Sequence, residues 1–285
     1  MSNNVSIAKE LTRTPFVLKA IKRIKLSLIL AIFIIVLAFA FSVFPSLFTH
    51  YNPIDEVGPH LTAPSTQHLL GTDELGRDLY ARIIYGSFYS LSGAAIAVAF
   101  GFIIGSLLGL FAGALSGITE TIVMRLVDVL LSIPSLLLSL TIITLLGFGT
   151  FPVAIAVGVT SIAGFARLTR TEVSRIRYSE YIEAAYGSGA TFLQVLFRHI
   201  VPNAFYMIIG YATLQFGHAL LQIATLSFLG YGVQPPTPEW GLLIAEGRNY
   251  IATAWWLTIT PGIFVIVIVL AANRISRAIV ERGTV

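Results

Sequence analysis

Long apolar runs alternate with short polar segments along this 285-residue chain. A run of about 20 apolar residues can cross the hydrocarbon core of a bilayer as a helix. Six runs approach or exceed that length, so the pattern predicts an all-α, polytopic integral membrane protein with six transmembrane helices. An even number of spans leaves both ends of the chain on one side of the membrane. The predicted spans cover 26–48, 88–115, 124–146, 153–168, 204–229 and 254–272.

The polar segment between the first two spans carries a helical pattern. Leu75, Leu79 and Ile83 recur every fourth residue, which places them on one face of a helix. The pattern predicts an amphipathic helix at about 71–86, lying on the outer surface of the membrane. Its charged residues are expected to face solvent rather than bind a metal, because no histidine clusters with them. They are Asp73, Glu74, Arg77, Asp78 and Arg82.

Lysine and arginine indicate the orientation of the spans, since cytoplasmic segments carry an excess of both. Of the 18 such residues, 15 lie in the two terminal segments, at the start of span three, or between spans four and five. Both termini are therefore predicted to be cytoplasmic, with basic tails at 1–25 and 274–285 around a membrane domain at 26–273. Ala38 and Ala40 would suit signal-peptide cleavage, but apolar sequence continues to Phe48 and favours an uncleaved first span.

Composition indicates lipid, and not nucleic acid, as the main surroundings of the chain. Hydrophobic residues make up 56% of it and charged residues 11%, with a mean hydropathy of +0.84. Soluble domains carry about 25% charged residues. The net charge of +4 would suit nucleic acid, but its position beside the spans is that of a topology signal. The absence of cysteine excludes disulfides and thiolate metal sites, and no metal site is predicted.

Span two carries small residues at every fourth position, which on a helix form one nearly continuous groove. Small residues let a neighbouring helix approach closely, and close approach drives association in lipid. The stripe predicts tight packing against another span of this chain or, less favoured, another subunit. It comprises Gly93, Ala97, Gly101, Gly105, Gly109, Gly113 and Gly117.

Span three contains Pro134, which removes a backbone hydrogen bond and is expected to kink the helix. Such a kink suits a pore-lining helix, and equally a simple packing irregularity. Near the cytoplasmic end of the same span, Arg125 and Asp128 are spaced to pair with each other.

Span five carries the polar residues Gln215, His218 and Gln222 on one helical face. Polar groups at membrane depth are costly against lipid, so this face is expected to meet water or protein. It is predicted to line a translocation path, with an interhelical hydrogen-bond cluster as the alternative.

Spans four and five are joined by a long basic loop, at about 169–202, with a helical pattern of its own. Polytopic membrane proteins usually connect their spans by short loops. A loop as long as this one is therefore predicted to be bound by something outside the bilayer. Glu183, Ala184, Ala185, Gly187 and Gly189 form its centre, and Pro202 is expected to end it.

Several blocks, in this order, resemble the peptide and nickel branch of ABC importer permeases, in particular the dipeptide/oligopeptide "C" type subunit. The resemblance runs from about residue 20 to 273. It is carried by GTDELGRD at 71–78, RLVD at 125–128, IPS at 133–135, EAA at 183–185 with Gly189, RHIVPN at 198–203, LSFLG at 226–230 and QPPTPEWG at 234–241.

The resemblance implies a type I importer permease fold in the inner (cytoplasmic) membrane, paired with a second, different permease. It also implies two cytoplasmic ATPases, which would bind ATP and magnesium, and an extracytoplasmic solute-binding protein. The loop at 183–189 would form a coupling helix that sits in a groove of an ATPase. Short peptides are the favoured substrate, with nickel or a metal chelate, glutathione and antimicrobial peptides as alternatives.

The chain itself shows no catalytic motif. It has no G-x-x-x-x-G-K-[ST] loop for phosphate binding and no HExxH or Ser/His/Asp arrangement, so it is predicted to be a non-catalytic transport subunit without a cofactor of its own. A secondary transporter is the alternative class, but apart from His218 the spans show neither the buried ionisable residues nor the inverted repeat that it would need.

Overall fold

The computed structural model describes residues 14–115 and 117–283, and side chains for 26–115 and 117–281. Residues 1–13, 116, 284 and 285, which include parts of both predicted tails, lie outside the described residues. Within the described residues every regular element is a helix, so the predicted all-α fold is confirmed. The helices are α1 (Thr14–Val43), α2 (Leu79–Leu115), α3 (Gly117–Ser132), α4 (Ser135–Leu146), α5 (Thr150–Arg177), α6 (Glu180–Gly187), α7 (Phe192–Val195), α8 (Val201–Phe228), α9 (Trp240–Gly247) and α10 (Trp256–Gly283).

The structure accounts for all six predicted spans, although one of them is broken. Four spans lie within α1, α2, α5 and α10, and a fifth runs through α7 and α8 as one helical stretch, Phe192–Phe228. The remaining span is the pair α3 and α4, which bends by 93° at the break between them. Pro134 lies in this break, where it has no N–H to donate and its ring crowds the preceding turn. The kink predicted at this proline is therefore a break between two helices.

Several helices extend beyond the predicted membrane limits. α2 begins at Leu79, α5 continues to Arg177, and α10 continues to Gly283. The connection expected at 169–202 is consequently much shorter, and residues 274–283 of the predicted tail are helical. The helices are longer than the predicted spans because the span limits stop at the first charged residues, whereas the backbone hydrogen bonds of a helix can continue past them.

The amphipathic surface helix predicted at 71–86 is absent. Residues 71–78 form turns and isolated bridges, and the helix that follows, α2, is continuous with span two. Gly71 and Gly76 have φ values of +81° and +73°, which are incompatible with a right-handed helix. Asp78 then caps α2, because its Oδ1 accepts a hydrogen bond from the N–H of Ala81 at 2.8 Å.

Four glycines of the small-residue stripe lie against α5, whereas Gly117, the last residue of the predicted stripe, begins α3 and has no atom within 4 Å of a built Cβ. A Cβ placed on Gly105 would lie 2.5 Å from the carbonyl oxygen of Ile162, and one on Gly109 would lie 2.4 Å from that of Ala166. The same construction at Gly101 and Gly113 gives contacts of 2.8 Å with side chains of α5. Backbone therefore meets backbone along this face, which only glycine permits.

Candidate coupling and translocation sites

The segment between α5 and α8 presents a short helix, α6, to the outside of the described chain. Ile182 is 1% exposed and joins an apolar cluster with residues of α5, α7 and α8. Glu183, Ala184 and Gly187 face outward, and Ala185 is half-buried. α6 is thus fixed on one side and free on the other, where small residues and first-turn acids lie beside the exposed Tyr181 and Tyr186.

Gly189 ends this helix through its backbone conformation. Its φ is +88°, a left-handed value that glycine adopts without strain. The N–H of Gly189 donates to the carbonyl of Tyr186 at 2.9 Å, and that of Ala190 donates to the carbonyl of Ala185 at 3.1 Å. This pair of bonds is the Schellman motif. No atom comes within 4 Å of a Cβ built on Gly189, so conformation and not space selects glycine here.

A second cap follows at once and fixes the return into span five. The hydroxyl of Thr191 accepts from the N–H of Gln194, and the side chain of Gln194 accepts from the N–H of Thr191 at 2.8 Å. This reciprocal arrangement is a capping box. The two caps define the conformation of the segment between α6 and α7 in the absence of any partner.

Pro202, predicted to end the loop, lies instead inside a continuous helical stretch. The five residues before α8, Leu196–Ile200, form a π-helical turn, and the N–H of Val201 donates to the carbonyl of Leu196. A proline cannot donate to the ladder and crowds the carbonyl four residues earlier, and a π turn accommodates both effects. Pro202 therefore lies at the start of span five, and the helical stretch continues through it.

Large apolar side chains surround the exposed face of α6. Exposed apolar groups on this scale mark protein contact surfaces in proteins of many kinds. The exposed residues are Tyr178, Tyr181, Tyr186, Phe192, Leu193 and Phe197.

The three polar residues predicted to line the path remain on one face of α8. His218 is exposed, and Gln215 and Gln222 are half-buried. Among the described residues, none of the three side chains has a hydrogen-bond partner, so the structure does not show the interhelical cluster considered as the alternative. Pro134, the fourth candidate for the path, is exposed at the break between α3 and α4.

Asp128 pairs with a different arginine from the one predicted. Its Oδ1 lies 2.6 Å from Nη2 of Arg167 on α5, whereas Arg125 is exposed and has no ion-pair partner among the described residues. One helical turn further along α5, Arg170 pairs with Glu120 of α3, with Nε 2.7 Å from Oε1. The prediction failed because a local spacing rule does not include a neighbouring helix that presents an arginine on the same side.

The outer face contains a buried ionic cluster formed by Asp73, Arg77, Arg82 and Glu246. Oδ2 of Asp73 accepts from Arg77 Nε at 2.7 Å and from Arg82 Nη1 at 2.8 Å. Arg82 also donates to Glu246 of α9 at 2.9 Å. Asp73, Arg77 and Arg82 are 4%, 3% and 0% exposed, so the expectation that they face solvent is wrong. The two arginines make burial of the acids possible, and the cluster ties the start of α2 to α9.

One further contact belongs to this outer assembly. Asp78, also expected to face solvent, is buried and bonded to His68 Nδ1 at 2.9 Å. Burial raises the pKa of Glu246 to about 7, against the positive charge of Arg77, which lowers it. Sequence reasoning missed the cluster because Glu246 lies 164 residues from Arg82. The available signal was the presence of two neighbouring arginines on a side of the membrane that otherwise carries only Arg248.

Comparison with known families bears on this geometry. The model of the family described as "Binding-protein-dependent transport system inner membrane component" matches residues 105–284, which include the broken span, α6 and both later spans. The chain belongs to that family. It is therefore a multi-pass permease component of the inner membrane, as the sequence motifs implied.

Characterised relatives resemble this permease over most of their length. The Di/tripeptide transport system permease protein DppC of Pseudomonas aeruginosa is 41% identical over 230 residues, covering 78% of this chain and 76% of the relative. The Dipeptide transport system permease protein DppC of Alkalihalophilus pseudofirmus is 37% identical, covering 90% and 85%. The Glutathione transport system permease protein GsiD of Pectobacterium atrosepticum is 39% identical, covering 75% and 71%.

Solved importers share the fold of this permease. An inward-facing structure of the MetNI methionine ABC transporter superposes with a TM-score of 0.54 at 21% identity, covering 70% of this chain and 97% of that one. An amino acid ABC transporter crystallised with histidines gives a TM-score of 0.57 at 19% identity, covering 71% and 94%. At such identities the likeness concerns the fold, and it supports a type I importer permease architecture.

Proposed function

We propose that this permease forms half of a translocation path for short peptides and that α6 couples the path to a partner ATPase. The observation that carries the proposal is the two-sided character of α6, which is anchored by Ile182 and presents Glu183, Ala184 and Gly187 outward. A short helix that is anchored on one side and carries small residues between two exposed tyrosines on the other fits a groove. ATP and magnesium then belong to two ATPase subunits, and a second, different permease supplies the other half of the path.

The substrate proposal rests on the relatives and on the chemistry of the exposed face of span five. The relatives at 37–41% identity are named for dipeptides, di/tripeptides and glutathione, which is itself a peptide. Gln215 and Gln222 carry neutral amides that both donate and accept hydrogen bonds, as peptide groups do. A path lined in this way suits a zwitterionic chain of amides delivered by an extracytoplasmic binding protein. Binding of dialanine, trialanine and glutathione to the solute-binding protein of this system would distinguish the peptide classes.

Replacing Gly189 with valine is expected to uncouple the assembled importer. A β-branched residue at φ +88° costs about 1–3 kcal/mol, so the end of α6 would rearrange. The measurement is ATP hydrolysis by the reconstituted complex with and without loaded binding protein, and the stimulation should be lost. Glu183→Lys should have the same effect by altering the exposed first turn of α6.

Gly147→Val serves as the matched control for this experiment. Gly147 has a φ of +91°, and no atom comes within 4 Å of a Cβ built on it, as at Gly189. It follows α4, on the opposite side of the membrane from α6, so it imposes similar strain away from the ATPase. Equal loss of stimulation in Gly147→Val and Gly189→Val complexes would attribute the defect to general destabilisation and contradict coupling through α6.

Single cysteines at Gln215, His218 and Gln222 are expected to react with water-soluble maleimides in the membrane. The chain has no cysteine of its own, so the label reports one position at a time. Loaded binding protein plus nucleotide should change the reaction rate, since the path alternates between two sides. Gly262→Cys in α10, where no atom comes within 4 Å of a built Cβ, is the comparison outside the predicted face. Transporting complexes in which none of the three cysteines reacts would remove this face from the path.

A further inference from the structure

The first half of the broken span, α3, is tied to α5 by two ion pairs. Asp128 Oδ1 lies 2.6 Å from Arg167 Nη2, and Glu120 Oε1 lies 2.7 Å from Arg170 Nε. On α3 the two acids are eight residues apart, or about 12 Å along the helix axis. Two ion pairs at different positions along the helix axis fix both the rotation and the position of α3 relative to α5.

Apolar packing holds α3 only weakly within this chain. Val127 is its one buried residue among the described side chains, and it packs in a small cluster with Ala163 and Ala166 of α5. By contrast, the face of α2 that meets α5 is buried over four consecutive glycines of the stripe. α3 can therefore shift relative to α5 without exposing a large apolar core, and the two ion pairs fix its position.

The exposure of the Asp128–Arg167 pair argues against a purely structural purpose, whereas Arg170 and Glu120 are less exposed, at 38% and 23%. Arg167 and Asp128 have side chains that are 52% and 50% exposed, and ion pairs this open to solvent contribute little to stability. They do, however, constrain geometry, because each pair fixes the distance between one residue of α3 and one residue of α5. Such pairs suit an element that has to follow the displacement of its neighbour.

α5 is also the helix that leads directly into α6. Arg177 ends α5, and α6 starts at Glu180, so a displacement of α6 reaches Arg167 and Arg170 along one continuous helix. At the other end of α3, the Pro134 break lets α3 turn relative to α4. The elements therefore form a series in which α6, α5, the ion pairs, α3 and α4 follow one another.

We propose that the Glu120–Arg170 and Asp128–Arg167 pairs transmit displacement of α6 to the broken span. This role rests on the proposed coupling function of α6. The four residues are positioning residues, since they act on the path through α3 and do not contact substrate. When an ATPase moves α6, Arg167 and Arg170 carry α3 with them, and the break at Pro134 converts that shift into a new orientation of α4.

The test uses a cysteine reporter on α4 in the assembled complex. Thr141 is exposed, and a single Thr141→Cys in this cysteine-free chain reports the surroundings of α4 through its reaction rate with a water-soluble maleimide. Background from the partner subunits is measured in the complex without this cysteine. The rate is compared without nucleotide and with ATP trapped by vanadate, so no substrate is required. We expect ATP to change the rate in the parent complex.

Breaking one pair should remove that response, and restoring it with exchanged charges should recover it. Asp128→Arg and Arg167→Asp singly are each expected to reduce the ATP-dependent change by at least about fivefold. The double exchange should return to within about twofold of the parent. Arg125→Gln is the matched control on the same helix, because Arg125 is exposed and has no ion-pair partner among the described residues, and it should leave the response unchanged.

Neutral variants test the role of the Asp128–Arg167 pair if charge reversal prevents assembly of the complex. In a cycle of Asp128→Asn, Arg167→Gln and their combination, a shared pair predicts that the double variant loses no more than either single one. Additive losses, or single variants that keep the full response, would overturn the proposal. A parent complex in which ATP leaves Thr141→Cys unchanged would overturn it as well, because α4 would then not move.

The outcome is separable from that of the coupling proposal. If Gly189→Val abolishes stimulated ATP hydrolysis while the ion-pair variants keep the response of α4, coupling through α6 stands and the ion-pair route fails. If Gly189→Val and Glu183→Lys complexes behave as the parent, coupling through α6 fails whatever the reporter on α4 shows.

Discussion

Replacing Asp73 with alanine is expected to destabilise the permease by about 3–5 kcal/mol, because it leaves buried arginines without their main partner. Oδ2 of Asp73 accepts from Arg77 at 2.7 Å and from Arg82 at 2.8 Å, and both arginine side chains are at least 96% buried. Its other oxygen accepts the N–H groups of Leu75 and Arg77. The substitution thus removes charge compensation and the hydrogen bonds that shape the turn before α2.

Thermal unfolding of the purified permease complex in detergent measures this effect, together with the yield of assembled complex. Glu74→Ala is the matched control, since Glu74 is partly exposed and its carboxylate lies 3.7 Å from the same Arg77. Its removal should cost less than about 1 kcal/mol. Equal shifts of the unfolding temperature for Asp73→Ala and Glu74→Ala would mean that the cluster is not desolvated and that its burial does not add to stability.

Replacing Gly105 with leucine is expected to separate α2 from α5 and to prevent normal assembly. The first side-chain carbon alone would lie 2.5 Å from the carbonyl oxygen of Ile162 and 2.6 Å from Cβ of Phe165. These atoms belong to the backbone and the stem of a core side chain, so they cannot turn aside as a flexible chain end would. Overpacking costs about 1–3 kcal/mol in ordinary cores, and a contact this close should fall at the upper end.

Gly262→Leu in α10 is the comparison for this substitution. A Cβ built on Gly262 has no atom within 4 Å, so the same change in another span adds bulk without a collision. Yield of the complex and its thermal midpoint should fall for Gly105→Leu and stay near the parent for Gly262→Leu. Parental values for Gly105→Leu would show that α2 and α5 are not packed as closely as described.

The apolar pattern predicted the spans because lipid imposes a simple requirement on composition. All six predicted spans correspond to helical segments, and the proline at 134 indicated where the third one changes direction. The ends were predicted less well, since nothing in the hydropathy of Arg170 or Arg177 distinguishes a helix that continues into water from a loop. The glycine spacing in span two likewise indicated a close contact, whereas its partner, α5, could not be read from spacing alone.

The polar residues were harder to place because their partners are remote in sequence. Arg82 meets Glu246 across 164 residues, and Asp128 meets Arg167 across 39. Local rules offered Arg125 as a partner for Asp128 and solvent for Asp73, and both were wrong. The turn at Gly189 is a local feature by contrast, since a glycine after a short helix commonly closes it in the left-handed conformation. Polar networks between elements require the fold to be known first.

The glycine face of α2 also has a consequence for biosynthesis. Its contacts on α5 lie 60 residues later in the chain, from Gly101 against Ser161 to Gly113 against Val173. At a synthesis rate of 5–20 residues per second, this interval corresponds to about 3–12 s during which the face has no partner within the chain. During that time α2 must remain beside lipid or an insertion factor, with its closest-fitting surface uncovered. A nascent chain arrested before α5 emerges should therefore crosslink through this face to neighbouring membrane components, and a chain released after α5 should not.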